Sequence, residues 1–231
     1  MSHPPAADGS GPAGSEPAPA AAAAVFGTEL ARAECFAELL VGPGVERGLL
    51  GPRETDRIWS RHLLNCAVVA ELFAEQARVV DVGSGAGLPG LAVAIARPDL
   101  RVDLVEPLQR RAEFLTEAVA VLELGARVRV VRGRAEEPET LRAVGGADWV
   151  TARAVAPLDR LVRWCLPLAA PGGRLALIKG SSAGEEVRQH RSALRRLGAG
   201  RAELVSCGVD VVDPAVTVVT VEISGTSKGS R

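Results

Sequence analysis

The amino-acid sequence predicts an α/β fold: a doubly wound, mostly parallel sheet that closes with a C-terminal antiparallel hairpin and is preceded by N-terminal helices. Three observations predict it. Short β-rich apolar runs alternate with amphipathic helical stretches through the middle of the chain. A glycine-rich stretch directly follows the first of these runs. The last two β-rich runs adjoin each other around Asp213-Pro214, with no helical stretch between them.

The chain is predicted to begin with a disordered tail over 1–25. Ala, Pro or Gly occupy 17 of residues 1–24. Such a segment buries too little apolar surface to offset the entropy lost on ordering. A short C-terminal stretch, 225–231, is also expected to be flexible.

Two helices are predicted to fill the next region, 26–76. The first, over 28–41, can be capped by Thr28 and is stopped by Gly42-Pro43-Gly44. The second, over 55–75, carries an apolar stripe at helical spacing. Both precede any strand.

The main domain is predicted over 77–224 as five strand-helix units and a hairpin. Alternation of this kind implies a parallel sheet covered by helices on both faces, and the hairpin adds one antiparallel edge strand. The predicted strands are 78–82, 101–105, 127–131, 147–151 and 174–179, the helices 89–96, 108–124, 136–144, 158–169 and 185–197, and the hairpin strands 202–212 and 215–223.

Bulk composition excludes several classes of protein. No apolar run is long enough for a membrane span, and the N-terminus does not have the pattern of a secretory signal. The four cysteines form no CxxC pair, so reduced thiols in a cytoplasmic protein without structural zinc are expected. A formal net charge of −1 argues against a strongly basic nucleic-acid binder but leaves room for a local basic face.

The stretch Asp81-Val82-Gly83-Ser84-Gly85-Ala86-Gly87-Leu88-Pro89-Gly90 carries the functional signal. Its glycines let the backbone approach a ligand closely at the end of the first strand, where ligands bind in doubly wound sheets. The spacing also satisfies the dinucleotide fingerprint GxGxxG. An acid at Asp81 would oppose a pyrophosphate but favour the cationic groups of S-adenosylmethionine. Five strand-helix units closed by a hairpin are the layout of class I methyltransferases.

Two further strand ends are predicted to complete a nucleoside site. Glu106 ends the second strand, where its carboxylate can accept hydrogen bonds from ribose hydroxyls. Gly133-Arg134-Ala135-Glu136 follows the third strand and is expected to reach the adenine ring. The same residues are also compatible with an ordinary helix start carrying first-turn acids. Gly85 and Glu106 are therefore predicted cofactor-binding residues.

Ordered motifs across the chain resemble the rRNA small subunit methyltransferase G (RsmG, or GidB) family, from about residue 45 to the end. Besides the glycine loop with its Leu88-Pro89-Gly90 ending, they are Arg61-His62-Leu63-Leu64-Asn65, Arg134-Ala135-Glu136-Glu137, Ala152-Arg153-Ala154 and Lys179-Gly180. The resemblance implies that S-adenosylmethionine is held at the positions of Gly83, Leu88, Ala135, Glu136 and Arg153. It implies N7 of a guanine in the 530 loop of 16S ribosomal RNA, free or in the small subunit, as the methyl acceptor.

The chain departs from the family pattern in its N-terminal helices. Residues 46–50 replace the usual Asn-Leu-Thr segment, and Asn65 stands where an acid is usual. Substrate recognition is therefore less well defined by the motifs than cofactor binding is. Arg61, His62 and Lys179 are predicted to contact the RNA, with Arg53 and Arg57 recurring at four-residue spacing before Arg61.

The proposed chemistry requires no catalytic base, because guanine N7 carries a free lone pair. No catalytic residue is therefore named, and rate enhancement is expected from positioning and electrostatics. Two alternatives remain at this stage: a nicotinamide-dependent reductase that uses the GxGxxG spacing, and a non-catalytic RNA-binding module on a methyltransferase scaffold. The protein is expected to act as a cytoplasmic monomer, without metal and away from membranes.

Overall fold

A computed structural model describes residues 16–153 and 156–223. It contains a seven-stranded sheet in the order β3-β2-β1-β4-β5-β7-β6. All neighbouring pairs from β3 to β5 are parallel, and the order reverses between β1 and β4. The predicted doubly wound α/β fold is confirmed. The strands are β1 Arg78–Val82, β2 Arg101–Glu106, β3 Val128–Arg132, β4 Ala147–Arg153, β5 Ala169–Ile178, β6 Ala199–Cys207 and β7 Val216–Ile223.

Helices cover both faces of the sheet. The N-terminal helices, α4 and α5 share one apolar cluster with one face, whereas α7 and α8 contribute to a second cluster on the other face. No described helix has the length and apolar character needed to cross a membrane. The helices are α1 Ala20–Phe26, α2 Leu30–Leu39, α3 Leu64–Ala67, α4 Gly90–Ala96, α5 Gln109–Val121, α6 Pro138–Val144, α7 Leu158–Cys165 and α8 Ala183–Arg196.

The C-terminal hairpin differs from the prediction in one respect. The antiparallel strand β7 lies inside the sheet, between β5 and β6, so it is not an edge strand. Its side chains explain the position: Val218, Val219 and Val221 are fully buried. Strand β6 instead carries exposed polar residues, among them Arg201 and Glu203, and forms the edge.

The start of the folded body was predicted too late in the chain. Residues 20–25 were assigned to the disordered tail, but they belong to α1, in which Ala22 and Phe26 are buried. An alanine run has high helix propensity, and the Phe26 ring packs edge-on against Trp59 at 6.2 Å between centroids. Thr28 lies in a 3₁₀ turn and makes no capping hydrogen bond. Residues 16–19 of the predicted tail are also described, whereas 1–15, 154–155 and 224–231 lie outside the described residues.

The second N-terminal helix is not continuous. The chain passes through a 3₁₀ segment (Pro52–Arg57), a π segment (Ile58–Leu63), α3 and another 3₁₀ segment (Val68–Leu72). Four-residue spacing therefore does not by itself place Arg53, Arg57 and Arg61 on one face, since each segment type advances by a different angle per residue.

Candidate cofactor and substrate site

The glycine loop leaves β1 in a conformation that few other residues could adopt. Gly83, Gly85 and Gly87 have φ of +71°, +56° and +91°. The amides of Gly83 and Ser84 both donate to the carbonyl of Val105 on β2, at 2.8 and 3.2 Å. These bonds hold the loop against the carboxyl end of the neighbouring strand.

Asp81 is fully buried beneath the loop, and its Oδ2 accepts a hydrogen bond from the Gly90 amide at 3.0 Å. Burial raises its pKa to about 7. Its Oδ1 has no hydrogen-bond partner among the described residues. The sequence argument placed this acid beside a ligand. The structure places it at the N-terminus of α4, where it lines neither of the cavities described below.

Glu106 fixes the far side of the loop. One carboxylate oxygen accepts from the Gly85 amide and the other from the Leu108 amide, each at 2.9 Å. The residue is only 1% exposed. Each oxygen keeps a second lone pair, so the carboxylate is held in place and can still accept further hydrogen bonds.

A cavity of about 180 Å³, the β1–β2 cavity, opens over this carboxylate. Its chemistry fits an adenosyl group, because a fixed acceptor faces it alongside apolar side chains such as Leu108 and Trp164. The residues that define it include Gly83, Glu106, Leu108, Ala135, Glu136 and Trp164. Trp164 comes from α7 and had no signal in the sequence.

A larger cavity of about 710 Å³, the β4–β5 cavity, lies at the carboxyl ends of the next two strands. The two cavities therefore flank the point where the strand order reverses, the usual place for a ligand in such sheets. Its lining includes the cations Arg61, Arg153 and Lys179, together with Glu54 and Glu186. Lys179 pairs with Glu186 at 2.7 Å and donates to the carbonyl of Ala156 at 3.1 Å.

His62 joins the N-terminal helices to β4 in this second cavity. Its Nε2 lies 2.7 Å from a carboxylate oxygen of Glu54, and its Nδ1 lies 2.9 Å from the Arg153 guanidinium. Arg153 also donates to the Cys66 sulfur at 3.2 Å. Because a guanidinium can only donate, Nδ1 must accept and the proton of the neutral ring sits on Nε2. Burial and the Arg153 charge lower the His62 pKa from its usual range.

The predicted site residues are distributed between the two cavities. Gly83, Glu106, Ala135 and Glu136 line the β1–β2 cavity, whereas Arg153 lines the β4–β5 cavity with the predicted RNA contacts Arg61, His62 and Lys179. The remaining two line neither cavity: Gly85 bonds directly to Glu106, and Leu88 is buried at 6% exposure.

Sequence reasoning missed several residues of the site, among them Glu54, Glu186 and Trp164. Glu54 precedes His62 by eight residues within irregular helical turns, so no periodic pattern marks it. The described residues contain no group of side chains arranged to hold a metal ion.

Comparison with known proteins gives one consistent family. A family model described as rRNA small subunit methyltransferase G matches residues 29–211. A protein named ribosomal RNA small subunit methyltransferase G from Salinispora tropica is 60% identical over 207 residues, covering 87% of this chain and 84% of the relative. A protein of the same name from Mycolicibacterium gilvum is 55% identical over 203 residues, covering 88% of each.

Solved structures give the same fold. A SAM-dependent O-methyltransferase from Thermotoga maritima superposes with a TM-score of 0.51 and 17% identity, covering 70% of this chain and 65% of that one. A precorrin-6y C5,15-methyltransferase from Geobacter metallireducens gives 0.50 and 15%, covering 68% and 85%. At these identities the likeness concerns the fold alone.

Proposed function

Because the chain belongs to the rRNA small subunit methyltransferase G family, we propose that it methylates N7 of a guanine in the 530 loop of 16S ribosomal RNA, with S-adenosylmethionine as donor. Family membership makes it a methyltransferase of small-subunit ribosomal RNA. The observation that carries the finer proposal is the pair of cavities across the strand-order reversal, one suited to a nucleoside and one lined by cations.

We assign the cofactor to the β1–β2 cavity and its border with Arg153. Glu106 would accept from the ribose hydroxyls, and Ala135 and Glu136 would border the adenine. Gly83, Gly85 and Leu88 shape the loop beneath. A nicotinamide dinucleotide fits less well, because Asp81 already occupies the Gly90 amide at the start of α4. Its carboxylate would repel a pyrophosphate at that helix end.

The bound cofactor would supply an electrophilic methyl group. Guanine N7 needs no deprotonation, so the residues around it have to position the base and balance charge. His62 fits this requirement, since both ring nitrogens are engaged, by Glu54 and by Arg153. The carboxylates of Glu54 and Glu186 also line the β4–β5 cavity, where they can offset positive charge that develops on the methylated ring.

RNA is the proposed occupant of the mouth of the β4–β5 cavity. Arg61 is exposed there, and its Nε lies 3.4 Å from a carboxylate oxygen of Glu54. Because the guanidinium is open to solvent, an RNA phosphate can bind it in competition with Glu54. Lys179 is mostly buried by its ion pair, so its proposed contact lies deeper, near the acceptor base. We also propose that the protein acts in the cytoplasm and that it is a monomer. Gel filtration with light scattering would check the oligomeric state.

Deletion of the gene tests the acceptor position. The expected result is the loss of one 7-methylguanosine from small-subunit RNA, located in the 530 loop by nuclease digestion and mass spectrometry. Complementation with the wild-type gene should restore it. Unchanged 7-methylguanosine in the deletion strain would contradict the proposal.

Ligand-induced thermal stabilisation tests the cofactor. S-adenosylhomocysteine is expected to raise the melting temperature, because it binds only the folded protein, whereas NADPH is expected to leave it unchanged. Gly83→Val should abolish the shift, since valine is strained at a φ of +71°. A shift with NADPH alone, or normal S-adenosylhomocysteine affinity in Gly83→Val, would show that the assignment is wrong.

A further inference from the structure

Arg153 is held by unusual partners. Among the described residues its guanidinium contacts no carboxylate and donates only to a neutral imidazole nitrogen and a thiol sulfur. Arg153 is only partly buried, so solvent offsets some of the cost of leaving its charge without an acidic partner. The charge of Arg153 is therefore available to an anionic group in the cavity, such as the carboxylate of an amino-acid moiety.

The ability of His62 to accept a hydrogen bond from Arg153 depends on which ring nitrogen carries the proton. His62 Nδ1 can accept from the guanidinium only if the ring carries its single proton on Nε2. The Glu54 carboxylate enforces this arrangement, because it can only accept and it lies 2.7 Å from Nε2. The His62 side chain is 7% exposed, so water does not readily replace either partner.

We propose that Glu54 is a positioning residue for the cofactor: by fixing the His62 tautomer, it aims the Arg153 guanidinium into the site. This inference rests on the proposed role of Arg153 in cofactor binding. Glu54, which lies outside the sequence motifs, thereby gains a function. Because Arg61 and His62 both contact Glu54, the segment that carries the proposed RNA contact Arg61 is also coupled to the cofactor.

The proposal has a distinctive pH signature. The charged groups that face His62 are Glu54 and Arg61 from the N-terminal segment and Arg153 from β4. Arg153 in turn interacts electrostatically with Cys66 and Asp81. Protonation of His62 places a hydrogen on Nδ1 against the guanidinium. Affinity for S-adenosylhomocysteine should therefore fall as the pH drops through the His62 pKa, which lies below its usual range.

Glu54→Gln separates positioning from mere structural support. The amide can donate or accept at Nε2, so only Arg153 still favours the Nε2–H tautomer, and affinity at pH 7.5 should fall roughly tenfold, the equivalent of one hydrogen bond to a charged group. Loss of the Glu54 carboxylate also removes its stabilisation of the His62 imidazolium, which lowers the His62 pKa. The fall in S-adenosylhomocysteine affinity should therefore occur at a lower pH than in the wild type. A loosened, more hydrated site would instead move the His62 pKa up toward its ordinary value.

The measurements are calorimetric titration with S-adenosylhomocysteine from pH 4.5 to 8.5 and ¹⁵N NMR of the histidine rings, with His62 assigned through His62→Gln. Asp56→Asn is the matched control: it removes a carboxylate two residues away that is exposed and lines neither cavity. It should change neither affinity nor tautomer. Glu54→Asp, which keeps the charge, should retain the Nε2–H form.

The outcomes separate this inference from the proposed function. Loss of binding in Arg153→Ala, with unchanged affinity and tautomer in Glu54→Gln, overturns the positioning role alone. So does an Nδ1–H tautomer in the wild-type protein, which needs no variant to fold. Normal S-adenosylhomocysteine affinity in Arg153→Ala instead overturns the cofactor placement.

Discussion

Asp81 shows how a single residue can belong to a motif for a reason other than ligand contact. Its carboxylate is buried, accepts a hydrogen bond from the first amide of α4 and has no charged hydrogen-bond partner in the part of the chain that the structure describes. A Cβ on Gly90 would lie 2.7 Å from Asp81 Oδ2 and 2.3 Å from Leu104. Asp81 and Gly90, nine residues apart in sequence, therefore pack directly against each other.

The pH dependence of stability tests this picture of Asp81. Its folded pKa of about 7 exceeds the value of about 3.9 expected unfolded, so its contribution is fully present below pH 4 and is lost as the pH rises through 7. Asp81→Asn cannot ionise. Between pH 5.5 and 8 the wild type should lose unfolding free energy relative to this variant, by up to about 1.4 kcal/mol per pH unit, in urea titrations.

Asp99→Asn is the control for that measurement. Arg97 holds the pKa of Asp99 below its usual range, so the contribution of this acid is lost only as the pH falls well into the acid range. The stability difference between wild type and Asp99→Asn should be constant from pH 5.5 to 8. A difference for Asp81→Asn that is equally flat would contradict a raised pKa for Asp81.

Single residues at strand ends were predictable, but their contacts were not. Gly83 and Glu106 follow from a rule about where parallel strands end, whereas Arg153 was predicted only from the family resemblance. The pairing of His62 with Arg153 joins residues 91 positions apart and depends on how an irregular helical segment docks. Glu54 and Trp164 enter the site through that docking and through α7, which no local pattern encodes.

At the scale of elements, the sheet was easier to predict than the helices around it. Strand β1 matches its prediction residue for residue, and β2 to β4 differ by one or two residues at either end. Strand β5 begins earlier, at Ala169, which pairs with Ala147 of β4; a register irregularity follows before pairing resumes at Arg174, and this stretch has no alternating apolar pattern. The N-terminal 3₁₀ and π segments keep apolar spacing close to that of an α-helix, so periodicity could not separate them.

Helix α1 is the element that differs most from its prediction, because most of it was assigned to a disordered tail. If it belongs to the core, Phe26→Ala should lower the unfolding free energy by about 3–5 kcal/mol, because a 3% exposed ring packed on Trp59 would leave a cavity. Chemical denaturation gives the value. Ala24→Ser, at an exposed position of the same helix, should change it by less than about 0.5 kcal/mol. Equal, small effects of the two substitutions would show that α1 is not part of the cooperative unit.

In the molecule as a whole, two neighbouring cavities with different linings lie at the carboxyl ends of the parallel strands. Strands β1 and β2 hold a fixed carboxylate beneath a loop of glycines, and β4 and β5 present cations that the N-terminal helices help to position. The body needs no large net basic charge to bind RNA, since the formal charge of −1 is compatible with cations gathered around one cavity. In the function proposed above, donor and acceptor meet at the point where strand order reverses.

Methyl transfer by the purified protein is the decisive measurement of the proposed function. Small ribosomal subunits or 16S RNA from the deletion strain would be incubated with methyl-labelled S-adenosylmethionine and the protein, with Glu106→Ala as the variant that lacks the proposed ribose acceptor. The account predicts label in a single 7-methylguanosine of the 530 loop, strongly reduced with the variant. Label in another nucleoside, or none in either substrate, would contradict it.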